Sequence, residues 1–170
     1  MDKIFASWLE VQHQQGRALE ADSDIVELIR VDSQRFATRF HCRGLVRGVD
    51  GQVRDAGRFE VGYWFNDSYL RHVEPLDVLT WIAPRDVFHP NIRFPKCCIG
   101  PIAPGTPLID LIYRVYEVIS YQNVMPDERD ALNLAACSWA RHHQACFPVD
   151  DHPLKRRSPG FRVEALEISP

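Results

Sequence analysis

Two adjacent cysteines, Cys97 and Cys98, follow a His89-Pro90-Asn91 turn within a few residues. A thiol performs acyl chemistry when it is accessible, is helped towards thiolate, and has a donor nearby to steady an oxyanion. A rigid turn that holds the Asn91 amide beside a cysteine supplies such a donor. Neighbours on a strand point to opposite faces, so one of the pair is exposed when the other is buried. Cys98 is the preferred nucleophile and Cys97 the alternative. Without the turn, both would read as small buried hydrophobes and Asn91 as a plain turn residue. His89 reads as structural, its ring packed and bonded to local backbone, not as a general base.

The elements that must hold this segment are visible as periodicities. Residues from about Lys3 to Leu19 read as a helix, with Ile4, Trp8, Val11 and Ala18 at helical spacing and Phe5 and Leu9 widening the stripe. Four strands follow. Ile25 to Val31 is apolar and β-branched. Phe36, Thr38, Phe40 and Cys42 alternate with polar neighbours, and Leu45 and Val46 extend that strand. Asp50-Gly51 is a hairpin turn signal. Phe59, Val61, Tyr63 and Phe65 alternate next, and Asp77 to Ala83 is the fourth strand. Sequential hairpins make this a four-stranded antiparallel meander.

After the loop from Phe88 to Gly100, Thr106 reads as a helix N-cap with Pro107 at the first helical position. Leu108, Leu111, Ile112, Val115, Val118 and Ile119 form the stripe of a central core helix ending near Tyr121. Asp127 or Asp130 then caps a C-terminal helix carrying Leu132, Ala135, Ala136 and Trp139 towards His143. The order predicts an α+β fold with the sheet packed on the central helix. Residues 1–146 read as the domain. Residues 147–170 read as a tail with a basic Lys155-Arg156-Arg157 centre and a strand-like alternation from Phe161 to Ile168.

Composition narrows the function classes. A chain of 170 residues suits one domain with a full core. A net charge of -3 gives no overall footprint for nucleic acid. No apolar run approaches membrane-spanning length, and Met1-Asp2-Lys3-Ile4 lacks a signal-peptide layout. The five cysteines are odd in number and show no Cys-x-x-Cys, so reduced thiols in a cytoplasmic protein are expected. His142, His143 and Cys146 are close enough in sequence to be weighed as metal ligands, but read as an ordinary helix end. No metal is expected. No Ser-His-Asp arrangement or Gly-rich phosphate loop is present.

These residues carry a family resemblance. The chain resembles the ubiquitin-conjugating enzymes (E2), in a divergent prokaryotic form. The family's hallmark is a His-Pro-Asn motif shortly before a catalytic cysteine followed by an aliphatic residue. Here it stands as His89-Pro90-Asn91 and Cys98-Ile99, with a spacing one residue short of the usual. Val73-Glu74-Pro75-Leu76 resembles the family's approach to its fourth strand, and Asp130-Ala131-Leu132-Asn133 resembles its Asp-Pro-Leu-Asn. The family's Trp after the cysteine is missing, and Ile99 to Gly105 is shorter and rich in Pro and Gly.

The resemblance implies a UBC-like fold over the domain. It also implies a carrier that accepts a ubiquitin-like modifier from an E1-like adenylating enzyme as a Cys98 thioester and passes it to an amine. Asn91 would steady the loop or the oxyanion, and Asp130 would orient the attacking lysine. It implies no small cofactor. A JAB-type peptidase in the same pathway and a bacterial antiphage setting follow from the family alone. An inactive variant that only binds the modifier, and an unrelated cysteine acyltransferase or peptidase, are the alternatives.

Overall fold

The computed structural model describes residues 2–124 and 127–156. Helix α1 spans Lys3–Ala21, and the Asp2 carboxylate caps it by accepting from the Ile4 N–H at 3.1 Å. Its buried stripe is Phe5, Leu9, Gln12, Gly16 and Leu19, while Ile4, Val11 and Ala18 are exposed. The stripe is thus turned from the one expected around Ile4, Trp8 and Val11. Two residues unpromising in sequence explain the turn. A Cβ on Gly16 would lie 2.6 Å from Leu28 Cδ2, so glycine lets the helix approach the sheet. Gln12, buried at 3% exposure, accepts from the Leu108 N–H at 2.9 Å.

The sheet is β1 (Val26–Arg30), β2 (Arg35–Phe40), β5 (Phe59–Trp64) and β6 (Leu79–Ala83), in that spatial order and antiparallel throughout. Its inner face carries Phe36, Phe40, Phe59, Val61, Tyr63 and Trp81 into one core with α1 and α3 (Leu108–Ile119). The order is the expected meander, with one correction. Leu45 and Val46 do not extend β2. They lie in β3 (Gly44–Arg47), which pairs with β4 (Val53–Ala56) in a separate hairpin and is bridged on its other side to Val87. The break has a cause: the Arg43 N–H donates to the Asp150 carboxylate at 2.7 Å instead of continuing the ladder. Gly51, at φ 78°, makes the expected Asp50-Gly51 turn.

Other boundaries move by a few residues. Pro75–Val78 is a helical turn, α2, so β6 begins at Leu79. Thr106 does not cap α3: its hydroxyl donates to the Ala103 carbonyl, and Gln12 serves the helix instead. Neither Asp127 nor Asp130 caps α4 (Leu134–His142). Asn133 does, accepting from the Ala136 N–H at 3.1 Å, while Asp127 is held by Arg129. Of the tail expected from residue 147, the part up to Arg156 lies on the body. Val149 and Leu154 are buried, Ser23 Oγ donates to the Leu154 carbonyl at 2.5 Å, and the Arg156 N–H donates to the Asp22 carbonyl at 2.8 Å. Lys155 and Arg156 pair with Asp22 and Asp24. Arg157 and the strand-like Phe161 to Ile168 lie outside the described residues.

The free edge of β1 is shielded by side chains. Val26 and Leu28 donate their N–H groups to Ser23 Oγ at 3.3 Å and to the Glu20 carboxylate at 3.1 Å. No helix among the described residues is long and apolar enough to cross a membrane.

The Gln12 contact is the clearest single link between the two long helices. Gln12→Met keeps the volume and leaves the Leu108 N–H unpartnered, which costs about 1–3 kcal/mol. Urea denaturation of the variant should show the midpoint falling with an unchanged slope. An unchanged midpoint would mean that the contact contributes nothing.

Candidate active site

The loop after β6 returns towards the core through a run of buried residues, Val87 to Ile92. Phe88 is fixed at both backbone atoms: its N–H donates to the Leu45 carbonyl at 2.8 Å, and its carbonyl accepts the Tyr121 hydroxyl. The His89 ring then folds under its own turn. Its Nδ1 accepts from the Asn91 N–H at 3.0 Å, and its edge meets Tyr121 with ring centroids 4.3 Å apart. With Nδ1 accepting, the ring proton is on Nε2, which is buried and has no hydrogen-bond partner. Burial pushes the His89 pKa down to about 3. The ring is therefore neutral at physiological pH and is shut away from any reacting group. It acts as a structural plug.

Asn91 is 1% exposed, and its backbone and side chain both reach Cys98. The Cys98 N–H donates to the Asn91 carbonyl at 2.8 Å, and Asn91 Nδ2 donates to the Cys98 carbonyl at 3.1 Å. Between them a short hairpin pairs β7 (Ile92–Arg93) with β8 (Lys96–Cys97), Ile92 opposite Cys97. Strand alternation then decides between the two thiols. Cys97 is 1% exposed and Ile99 is 4%, both turned into the core, while Cys98 between them is half-buried. Burial raises the Cys97 pKa to about 12, so it carries almost no thiolate near neutrality. Gly100, at φ 87°, turns the chain away directly after Ile99.

The structure thus brings His89, Pro90, Asn91, Cys97 and Cys98 into one unit. Asp130 joins it only indirectly. Its side chain is exposed on a turn, and the link to the motif is made three residues later, where the Asn133 N–H donates to the Pro90 carbonyl at 3.0 Å. Two residues of this unit were not singled out from sequence. Asn133 ties α4 to the motif. Tyr121, at φ 59°, departs from the helical path directly after α3 so that its ring and hydroxyl reach back to the motif. Asn133 belongs to the Asp130-to-Asn133 stretch of the resemblance, but neither residue's role has a local signal, because each acts on a residue about thirty or more positions away.

His142, His143 and Cys146 do not converge. Among the described residues, the set of three potential metal ligands within 4.8 Å of one another is Asp150, Asp151 and His152. Its one buried member, Asp150, already accepts from the Arg43 and His152 N–H groups at 2.7 and 3.0 Å. No family model matches the chain, and no curated protein sequence matches it.

Burial orders the thiols by reactivity. Brief alkylation of the native protein should label Cys98 and the exposed Cys146, while Cys97, Cys42 and Cys137 react only in denaturant. Peptide mass spectrometry reads the order; early labelling of Cys97 with Cys98 protected would reverse the assignment.

The buried His89 ring also sets a pH dependence. Its folded pKa, about 3, lies below the ordinary histidine value, so the unfolded chain takes up a proton that the native ring refuses. Its contribution is intact above the ordinary value and is lost as pH falls from about 6.5 towards 3. His89→Asn keeps an acceptor for the Asn91 N–H and removes the titration. Urea midpoints measured across this range should fall less steeply for the variant than for the parent; parallel curves would show that the ring is not held neutral.

Proposed function

We propose that the chain is a cysteine acyl carrier of the ubiquitin-conjugating type, with Cys98 as its nucleophile. The observation that carries this reading is the clasp between Asn91 and Cys98: two hydrogen bonds, at 2.8 and 3.1 Å, hold the one half-exposed thiol of the motif on a buried turn. In the UBC-like reading, Cys98 Sγ attacks the carbonyl carbon of a modifier held as a thioester on an E1-like enzyme. The new C–S bond forms as the old one breaks, and the departing E1 sulfur takes the proton that Cys98 loses. A target amine then attacks the same carbon. The C–Sγ bond breaks, and the amine's proton goes, through solvent, to the released Cys98 thiolate.

The role assigned to Asn91 follows from where its amide points. Nδ2 donates to the Cys98 carbonyl, so its support to the reaction is through the position of the loop. Asp130 is the candidate for guiding the amine because it is exposed and sits on the turn that Asn133 tethers to Pro90. The E1-like enzyme and the ubiquitin-like modifier are the partners this reading requires.

A charging assay tests it. The protein is mixed with ATP, an E1-like enzyme and a ubiquitin-like modifier, and run on gels with and without reductant. A reductant-sensitive adduct should form in the parent and in Cys97→Ala and be absent in Cys98→Ala. Asn91→Ala should slow adduct formation or discharge by roughly tenfold or more, the effect of losing one positioned donor. No adduct in any lane, with the E1-like enzyme shown to form its own thioester, would leave a binding module as the better reading.

A further inference from the structure

A cleft of about 500 Å³ opens between the β3–β4 hairpin and α4, with Phe88 in its wall. Its size is that of a small-molecule site. Arg47, Val53, Phe88, Trp139, His142 and His143 line it, and no carboxylate side chain does among the described residues. The thiol chemistry uses none of its polar groups.

Each of those groups is held in place with a bonding position left over. Arg47 Nε donates to the Gly51 carbonyl at 3.1 Å, and its guanidinium carbon lies 5.5 Å from the Phe88 ring centroid. Arg47 forms no ion pair among the described residues, so its terminal nitrogens face no carboxylate. Both histidines are pinned through Nδ1, to the Ser138 and Trp139 carbonyls, each at 2.7 Å. A carbonyl can only accept, so Nδ1 is the donor in each ring and Nε2 of the neutral ring is left as an acceptor, suited to a ligand's N–H or O–H and not to its anionic group. The His143 ring lies flat on Trp139, with centroids 4.0 Å apart and planes 10° from parallel, and Trp139 in turn meets Phe88 edge to face. The cleft therefore offers a fixed guanidinium with no carboxylate paired to it, two oriented imidazole acceptors and an aromatic wall.

We propose that this cleft binds a small planar anion, an aromatic ring bearing a phosphate or a carboxylate. The anionic group sits at Arg47, whose planar fork matches either oxyanion. The ring lies against Val53 and the Trp139–His143 stack. This assignment stands independently of the thiol chemistry.

The test is NMR titration of the full chain with three probes: adenosine monophosphate, benzoate and inorganic phosphate. Of the four tryptophan indole N–H signals, that of Trp139, identified by its loss in Trp139→Phe, should shift and saturate, while those of Trp8, Trp64 and Trp81 stay in place. Adenosine monophosphate or benzoate should bind at least roughly tenfold more tightly than inorganic phosphate; whichever binds better identifies the oxyanion. Arg47→Gln, at an exposed position, should weaken binding several-fold, with thermal unfolding unchanged. Three outcomes would overturn the proposal: no saturation by either aromatic probe in the millimolar range, a response centred on another tryptophan, or equal affinity for inorganic phosphate.

Discussion

The pair of hydrogen bonds between Asn91 and Cys98 is the constraint on which the site depends. They join two residues seven apart across a hairpin of two-residue strands, too short to hold its register by ladder bonds alone. Because Asn91 is almost fully buried, its amide must be bonded, and the Cys98 carbonyl is where one of those bonds goes. That requirement fixes residue 98 in rotation as well as in place. Cys97 and Ile99 then have to fill the core, and Cys98 has to stand out of it.

The clasp is only as rigid as the turn beneath it. A small second core, built from Leu45, Phe88, Tyr121, Ala136, Ala140 and Val149, supports that turn from the side away from the sheet. Tyr121 is its centre, stacked on Phe147, edge-on to His89 and bonded to the Phe88 carbonyl. The chain from Val149 to Arg156 closes over the end of α3. The Val149 N–H donates to the Ser120 carbonyl, the Tyr116 hydroxyl donates to the His152 carbonyl, and Leu154 enters the main core. A segment that reads as polar, proline-rich tail thus holds the residues that hold the motif.

What was legible in the sequence, and what was not, divides along the range of the forces. Alternation from Phe36 to Phe40 and from Phe59 to Tyr63 reports burial against a common face, so the strands and their order could be read. The stripe of α3 is legible for the same reason. Caps and strand ends were misplaced because the deciding partner is remote. Gln12 takes the place expected of Thr106, and Asp150 ends a strand that Leu45 and Val46 would otherwise prolong. At the site, the motif and its cysteine were legible as local chemistry. Tyr121 and Asn133 were not, because an aromatic after a helix and an amide before one have ordinary meanings until the fold places them against Phe88 and Pro90.

Asn133 also bounds what Asp130 can do. Three residues of extended chain span at most roughly 10 Å, so the Asp130 backbone cannot stray further than that from the point where Asn133 is tied to the Pro90 carbonyl. Among the described residues the Asp130 carboxylate accepts no hydrogen bond, and Arg129 beside it is already paired with Asp127. A carboxylate that is exposed, tethered beside the turn and uncommitted to the fold gains little from its position in the isolated chain. In the proposed reading it acts only when a second molecule brings an amine to the half-exposed Cys98. By contrast, His89 is buried under its own turn and Asn91 is bonded through backbone and side chain with no second molecule present. The buried part of the motif sets the thiol's position, and Asp130 stands outside it, exposed on the turn that Asn133 tethers to Pro90.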